Sequence, residues 1–259
     1  MFDYRKKYQY GNSSVEYFVT DRIGGVSEGH FGTLNLGRYA GDDEDNVKEN
    51  RRRVCAELGI SLSRFVVPKE VHGDQSVWVN SENLSQLVEN EDFECDALIT
   101  TEPNLVVGVT TADCVPILVY SADCKVVAAV HAGWKGVIRA ILPKTIAEVM
   151  EKMHVEAKDL HVVVNPCISL ASFEVGEEVA QQFEETFGKD ACVVDRTQFN
   201  KPHVDLPKAV AMQIRKCGVP LENVEMHTDC TMLSERFYSA RREGFHSGRM
   251  VSGIFITRI

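Results

Sequence analysis

The sequence predicts an α+β fold, in which mixed, partly antiparallel sheets are covered by helices. Six short apolar segments follow one another between residues 64 and 130. Several of them are separated by turns too short for a helical crossover, so at least part of the sheet is antiparallel. Patterns typical of amphipathic helices lie before and after this region. The segments are FVVP, QSVWVN, DALIT, LVVGVT, VPILVY and KVVAAV.

The region before these strands is predicted to contain one strand and one helix. Residues 14–20 are apolar and β-prone, and a glycine-rich turn follows them. Residues 44–58 have a helical pattern with acidic residues in the first turn and a glycine after the last. Asn50 and Arg51 fall on the apolar face of this helix. A buried Arg needs a partner, so we expect Arg51 to bind either an internal carboxylate or an anionic group of a substrate.

Helices and strands alternate after residue 130. Residues 134–153 have the clearest helical periodicity, with apolar residues along one stripe. A second helical pattern carries many acidic residues on its outer face, which is typical of a solvated surface. The further predicted elements are helices at 175–187 and 205–217 and strands at 160–164, 222–227 and 250–256.

A predicted β-hairpin that brings Cys114 next to His131 is the strongest indication of function. Residues 115–120 and 125–130 are β-prone, and the polar residues 121–124 suit a turn. This turn pairs residues whose numbers sum to 245, so Cys114 lies opposite His131, with Cβ atoms about 5 Å apart. A shift of one residue on one strand would place the two side chains on opposite faces.

His72, in the segment KEVHGD, is a third candidate ligand for the same site. Two His and one Cys suit zinc, and three protein ligands leave one position for water or substrate, as in catalytic zinc sites. Zinc lowers the pKa of water at that position toward about 7. The same residues also suit a nucleophilic pair, in which Cys114 attacks and His131 or His72 accepts its proton. Asp113 is expected to point away and to act as a cap or an orienting group.

Two segments have features of an anion-binding site. HAGWKG lies between a buried strand and a helix, where Gly133 and Gly136 allow backbone to approach a ligand at the helix N-terminus. The alternative is that these glycines only permit a tight turn. The segment SARREG, which contains Arg241, and the nearby Arg249 suit phosphate, and equally suit an ordinary surface.

Composition and charge exclude several classes of protein. The chain has 259 residues, 44% of them hydrophobic, without a linker or an internal repeat, so we expect a single domain over residues 1–259. No apolar run approaches the roughly 18 residues of a membrane span, and the N-terminus lacks a signal-peptide core, which predicts a cytoplasmic protein without membrane contact. A net charge of −10 argues against nucleic-acid binding. The eight cysteines include no CxxC pair and are expected to be reduced.

Several motifs occur in the order found in one known family. They are GGVS, NLG, GDD, NRR, EVHGD, TADCVPILVY, HAGWKG, FEVGEEV and FYSARREG followed by GRM. With these motifs the chain resembles the bacterial laccase-domain family, whose members are also described as purine nucleoside phosphorylase / polyphenol oxidase proteins and as peptidoglycan editing factors. The similarity extends over roughly residues 17–256.

The resemblance implies an α/β/β/α layered fold and a catalytic zinc site whose ligands are His72, Cys114 and His131. It further implies phosphorolysis of adenosine, inosine and methylthioadenosine, together with deamination of adenosine. A purine nucleoside and phosphate are therefore the expected ligands. The candidate substrate-binding residues are Asn35, Arg51 and Arg241.

Three alternative functions remain beside this one. A copper-dependent polyphenol oxidase fits poorly, because multicopper sites need paired HxH motifs and the eight His of this chain include none. Copper is instead expected as a secondary metal that displaces zinc in vitro. A hydrolase that edits a peptidoglycan precursor would use Cys114 as nucleophile or a zinc ion, and a non-catalytic binding protein would need neither His72 nor Cys114. We therefore predict a zinc-dependent purine nucleoside phosphorylase with adenosine deaminase activity.

Overall fold

Two mixed β-sheets pack against each other in this computed structural model, which describes residues 1–90 and 92–258. The strands are β1 (Phe2–Tyr10), β2 (Ser13–Thr20), β3 (Phe65–Val66), β4 (Ser76–Val79), β5 (Ala97–Thr100), β6 (Val106–Thr111), β7 (Val115–Ser121), β8 (Val127–Ala132), β9 (Leu160–Val164), β10 (Val194–Asp195), β11 (His203–Val204), β12 (Val224–Met226) and β13 (Met250–Arg258). Within the described residues, the first sheet has the order β1-β2-β13-β6-β3 and the second the order β12-β9-β7-β8-β5-β4. A short β10-β11 ribbon lies outside them. Apolar residues of β6 and β13 form a common core with those of β7 and β8.

Helices cover the outer faces of both sheets. They are α1 (Glu44–Leu58), α2 (Leu84–Glu89), α3 (Trp134–Ile138), α4 (Ile141–Met153), α5 (Glu177–Phe187), α6 (Leu206–Lys216) and α7 (Ala240–Glu243). The apolar faces of α4 and α6 pack on the second sheet, and α1 packs on the first. The predicted α+β class and its α/β/β/α layers are therefore confirmed.

The local signals for α1 are confirmed in detail. The Asp43 side chain accepts hydrogen bonds from the backbone N–H groups of Asp45 and Asn46, and Gly59 ends the helix with a φ of 71°. Asn50 and Arg51 are buried on the same face as the apolar residues, as the helical period predicts.

The secondary structure departs from the sequence-based expectations in several places. The helix predicted at 134–153 is two helices, because Ala140 adopts a left-handed conformation with a φ of 60° that interrupts the hydrogen-bond ladder between α3 and α4. Strand β1 was not expected, because most of its side chains are partly or fully exposed and it lacks an apolar run. It pairs antiparallel with β2 at the edge of the first sheet. Helices α2 and α7 and strands β10 and β11 were not expected either. The other predicted elements are present, α1 and β9 with the predicted bounds and the rest with shifted ends.

The hairpin between β7 and β8 forms, but its predicted register is wrong. His131 pairs with Pro116, and Val115 pairs with Ala132, so paired residue numbers sum to 247. The cause is Ser121, whose hydroxyl accepts hydrogen bonds from the N–H groups of Lys125 and Val126 and so moves the turn one residue along. A change of two in this sum preserves the face on which each side chain lies. Cys114 therefore precedes β7, diagonally across from His131.

Across residues 1–90 and 92–258, none of the helices combines the length and the apolar character that crossing a membrane requires.

Candidate metal centre and active site

Three segments distant in sequence bring His72, Cys114 and His131 together. His72 lies in the loop before β4, Cys114 directly precedes β7, and His131 lies in β8. One ligand atom from each of these residues lies within 4.8 Å of the other two, and Sγ of Cys114 is 3.8 Å from Nε2 of His72. The two imidazole rings are nearly perpendicular, with centroids 4.9 Å apart. His131 is buried, whereas the other two are partly exposed. The predicted triad is thus one cluster.

Asp96, just before β5, holds two of these residues in place. Its carboxylate is fully buried and accepts a hydrogen bond from Nδ1 of His131 at 2.8 Å. It also accepts the backbone N–H groups of His72 at 2.9 Å and Gly73 at 2.6 Å. Because Nδ1 of His131 is engaged, its Nε2 is left for a ligand. Sequence reasoning missed Asp96; the signal was an acidic residue directly before a fully buried apolar strand.

Gly133 leaves the space in which the side chains of His72, Cys114 and His131 can meet around an ion. It is the N-cap of α3, and a Cβ placed on it would lie 2.8 Å from Cδ2 of His72 and 3.1 Å from Sγ of Cys114. Any larger residue would therefore displace the donor atoms. Two imidazoles and a thiol held this closely, with the ring of His131 oriented by Asp96, match the donor set and outer hydrogen bonding of zinc sites.

The electrostatics of the cluster favour a deprotonated thiol. Burial alone raises the pKa of Cys114, but the charge and hydrogen bond of His131, together with a hydrogen bond to His72, lower it to about 6. Burial alone lowers the pKa of His131, but the Cys114 thiolate and the Asp96 carboxylate raise it above its usual value. The thiolate is the form of cysteine that binds metals, so the site is prepared for a cation.

Asp113 orients the segment that carries Cys114, as expected. Its backbone has a φ of 94°, which a residue other than glycine rarely adopts. Its carboxylate accepts hydrogen bonds from the hydroxyl of Thr231 at 2.6 Å, the hydroxyl of Ser239 at 3.0 Å and the backbone N–H of Arg241 at 2.7 Å. These contacts hold the strained conformation that directs Cys114 toward the two imidazoles.

The cluster of His72, Cys114 and His131 opens into a cleft of about 500 Å³ between the ends of both sheets. Aromatic, cationic and hydroxyl side chains surround it. It is lined by Gly37, Tyr39, Ala40, Glu70, His72, Thr110, Thr111, Ala112, Asp113, Cys114, His131, Trp134, Ile168, Phe173, Ala240, Arg241, Phe245 and Arg249. A volume of this size suits a small-molecule ligand.

Glu70 is a second cleft residue that sequence reasoning missed. Its carboxylate accepts hydrogen bonds from the backbone N–H of Thr110 at 2.5 Å and from the hydroxyl of Thr110 at 2.7 Å. Burial raises the pKa of Glu70 above its usual range, against the opposing effect of His131. A carboxyl group two residues before His72 was visible in KEVHGD, but only the fold shows that it faces the cleft.

The structure separates the three candidate substrate-binding residues. Arg241 lines the cleft, with Nη1 donating to the carbonyl oxygen of Glu174 at 2.9 Å. Asn35 does not line it, because the side chain is fully buried and its Oδ1 accepts the N–H groups of Gly37 and Arg249. It therefore positions the cleft wall.

Arg51 lies outside this cleft. Its guanidinium donates to the carbonyl oxygen of Leu36 at 2.8 Å and 3.0 Å, and it lines a different cavity, of about 290 Å³, with Arg38 and Lys48. The inward orientation predicted for Arg51 is confirmed, but Arg51 does not line the cleft that contains His72, Cys114 and His131. The helix turns Arg51 toward the preceding loop, where the carbonyl oxygen of Leu36 accepts two of its hydrogen bonds.

Comparison with known proteins shows the family of this chain. Residues 16–257 match the family model described as multi-copper polyphenol oxidoreductase laccase. The chain belongs to this family. A purine nucleoside phosphorylase of Bacteroides thetaiotaomicron is 36% identical, with 94% of this chain and 92% of that protein covered. Adenosine deaminase RL5, from an unknown prokaryotic organism, is 31% identical over 93% of this chain and 94% of that protein.

The fold of this laccase-family protein is also found in a solved structure. YlmD from Geobacillus stearothermophilus superposes with a TM-score of 0.88 at 28% identity, covering 94% of this chain and 92% of that one. The resemblance inferred from the motifs is therefore confirmed. We find one group of at least three His, Cys, Asp or Glu side chains close enough to share an ion among the residues described here. It consists of His72, Cys114 and His131. Such a cluster offers ligands for one metal ion.

Proposed function

We propose that this protein is a zinc-dependent purine nucleoside phosphorylase that acts on adenosine, inosine and methylthioadenosine and also deaminates adenosine. The observation that carries the proposal is the cluster of His72, Cys114 and His131 at the base of a nucleoside-sized cleft. The names of the relatives, a phosphorylase and a deaminase at 36% and 31% identity over most of the chain, support the same reactions.

His72, Cys114 and His131 would hold the zinc ion. When bound, such an ion supplies Lewis-acid chemistry and activates water at neutral pH. Two imidazoles and one thiol are a donor set typical of zinc. These three ligand atoms suffice for one ion, which supports zinc over a multicopper centre. Copper binds such sites more tightly than zinc in the general affinity order, so we propose it as a secondary occupant in vitro.

The aromatic side chains of the cleft suit a purine base. Tyr39 and Phe245 lie at its rim and are exposed, while Trp134 and Phe173 line the interior. A purine stacks on aromatic rings with little dependence on its substituents. Such stacking would allow the same cleft to bind several purine nucleosides.

Two arginines of the cleft suit the phosphate. Among the described residues, neither Arg241 nor Arg249 lies within 4 Å of a carboxylate in an ion pair; both guanidiniums bind backbone carbonyl oxygens. A phosphate between them would gain charge-assisted hydrogen bonds and offset the cost of their partial burial. In phosphorolysis a phosphate oxygen attacks C1′ of the ribose and the bond from C1′ to the purine N9 breaks. The arginines would hold the attacking phosphate against C1′.

The test is to incubate the zinc-loaded protein with adenosine, with and without phosphate, and to separate the products by chromatography. Adenine with ribose 1-phosphate, formed only when phosphate is present, indicates phosphorolysis; inosine indicates deamination. Cys114→Ala, which removes one donor, is the blank, and the glycine N-cap variant Gly176→Ala on α5 is the matched control that should remain active. Absence of both products from the zinc-loaded protein would overturn the proposal and favour hydrolysis of a peptidoglycan precursor.

A further inference from the structure

Cys167 and Cys230 are partners in a parallel β-bridge that extends the β9-β12 pair toward the cleft. The backbone N–H of Thr231 donates to the carbonyl oxygen of Cys167 at 3.1 Å, which fixes the two segments side by side. Paired strands lie about 4.8 Å apart, and a disulfide needs Cα atoms roughly 4.4 to 6.8 Å apart. Partners in a parallel bridge direct their side chains to the same face. The backbone therefore already has a separation that suits a disulfide.

The surroundings give the two thiols different roles. Cys167 is buried, whereas Cys230 is partly exposed. The backbone N–H of Ser169 donates to Sγ of Cys230 at 3.3 Å, and Oγ of Ser172 lies 3.4 Å from it. Burial raises the pKa of Cys230, but these hydrogen bonds outweigh it and lower the pKa below the ordinary value. Cys230 is thus the accessible, more nucleophilic thiol, and Cys167 is the protected one.

Both cysteines are directly followed by a residue that holds Asp113. The backbone N–H of Ile168 donates to the carbonyl oxygen of Asp113 at 2.9 Å, and the hydroxyl of Thr231 donates to its carboxylate at 2.6 Å. Asp113 precedes Cys114, and Ile168 itself lines the cleft. A bond between the two sulfur atoms would take Sγ of Cys230 away from its contacts with Ser169 and Ser172 and so change the packing directly beside both supports of Asp113.

We propose that Cys167 and Cys230 are a peroxide-sensitive disulfide site that lowers the activity of the neighbouring cleft when oxidised. The Cys230 thiolate attacks one oxygen of hydrogen peroxide, the O–O bond breaks, and the other oxygen leaves as hydroxide and becomes water on taking up a proton. The Cys167 thiol then attacks the sulfenic sulfur; the S–S bond forms, the S–O bond breaks, and hydroxide leaves with the Cys167 proton as a second water. The two sulfurs lose two electrons in total, and the peroxide gains them.

The disulfide is tested by mass spectrometry, which does not depend on any catalytic activity. The zinc-loaded full-length protein is treated with increasing hydrogen peroxide, blocked with N-ethylmaleimide and cleaved with trypsin. The expected product is a linkage between the peptides 159–189 and 217–236, which dithiothreitol reverses. Because the second peptide also contains Cys217, the experiment is run in a Cys217→Ser background. A linkage of Cys167 to Cys114, or no linkage at a peroxide concentration that oxidises the exposed Cys192, would overturn the proposal.

The effect on the cleft is measured on the same samples. Oxidation is expected to lower the turnover of adenosine several-fold while the zinc content, measured by mass spectrometry of the metal, stays constant. Cys230→Ser should keep its activity after peroxide, and Cys192→Ser, the matched control at an exposed thiol, should lose it as the parent does. If Cys230→Ser does not fold, Cys167→Ser serves the same purpose. A disulfide that forms without changing turnover would overturn the regulatory part alone. If the reduced protein does not act on purine nucleosides, the peptide linkage still decides the disulfide.

Discussion

The Asp96 carboxylate accepts a 2.8 Å hydrogen bond from Nδ1 of His131, and both side chains are buried. The carboxylate thereby fixes which imidazole nitrogen faces the cleft. Asp96→Asn keeps the shape but removes the charge, so we expect zinc affinity to fall by about 10- to 100-fold. Competition with a chromophoric chelator measures it.

A matched control for this variant is Asp74→Asn, which removes a carboxylate paired with Lys144 in the same loop region without touching a metal ligand. Its zinc affinity should equal that of the parent protein. Equal affinity of Asp96→Asn and the parent, in samples with the same circular dichroism, would contradict the role assigned to Asp96.

Gly133 leaves the space in which the donor atoms meet. Gly133→Ala places a methyl group 2.8 Å from the ring of His72, so zinc affinity is expected to fall by at least about tenfold. Gly176→Ala is the control, because it too is a helix N-cap and its new Cβ would contact only the flexible end of Glu178. Full zinc occupancy of Gly133→Ala after dialysis would show that the cluster tolerates this methyl group.

The pKa of Cys114 predicts how the metal-free protein reacts with iodoacetamide. A pKa lowered to about 6 means that the thiolate is present above that pH and is lost as the pH falls through it. Alkylation at Cys114 should therefore rise with a midpoint near pH 6, measured by peptide mass spectrometry with Cys114→Ser as the blank. His131→Ala should move the midpoint upward, because it removes the neighbouring positive charge. A midpoint near the ordinary thiol value of 9.0 would refute the assignment.

Arg241 is expected to bind phosphate. Arg241→Gln should raise the KM for phosphate by about tenfold or more, since a charge-assisted hydrogen bond contributes about 1.5–3 kcal/mol, and should leave the KM for the nucleoside nearly unchanged. Arg139→Gln, on an exposed residue after α3, is the control. An unchanged KM for phosphate would show that Arg241 does not bind phosphate.

Phe245 is expected to stack on the purine. Phe245→Ala should raise the KM for adenosine by roughly tenfold, or about 1.4 kcal/mol, which lies within the range for a base on an aromatic side chain. Leu221→Ala removes an equally exposed apolar side chain that does not line the cleft and should have no effect. Steady-state kinetics with adenosine varied distinguishes the two outcomes.

Helix α1 and the hairpin show how far local patterns predict this fold. The acidic first turn, the 3.6-residue period and Gly59 defined α1 with its buried Asn50 and Arg51, because each signal acts within a few residues. The hairpin was predicted on the correct face but in the wrong register, because the Ser121 hydroxyl moved the turn. Periodicity alone could not separate α3 from α4, since the break at Ala140 is a single left-handed residue.

The amino-acid sequence by itself determined the fold class and the family. It also indicated that His72, Cys114 and His131 belong to one cluster. Residue chemistry and motif spacing are properties of the chain, and they persist whichever way it folds. Only the tertiary structure decided that Asp96 orients His131, that Glu70 faces the cleft, and that Arg51 lies elsewhere. Those relationships join segments far apart in the chain, and packing of the two sheets and the strand register set the distances between them.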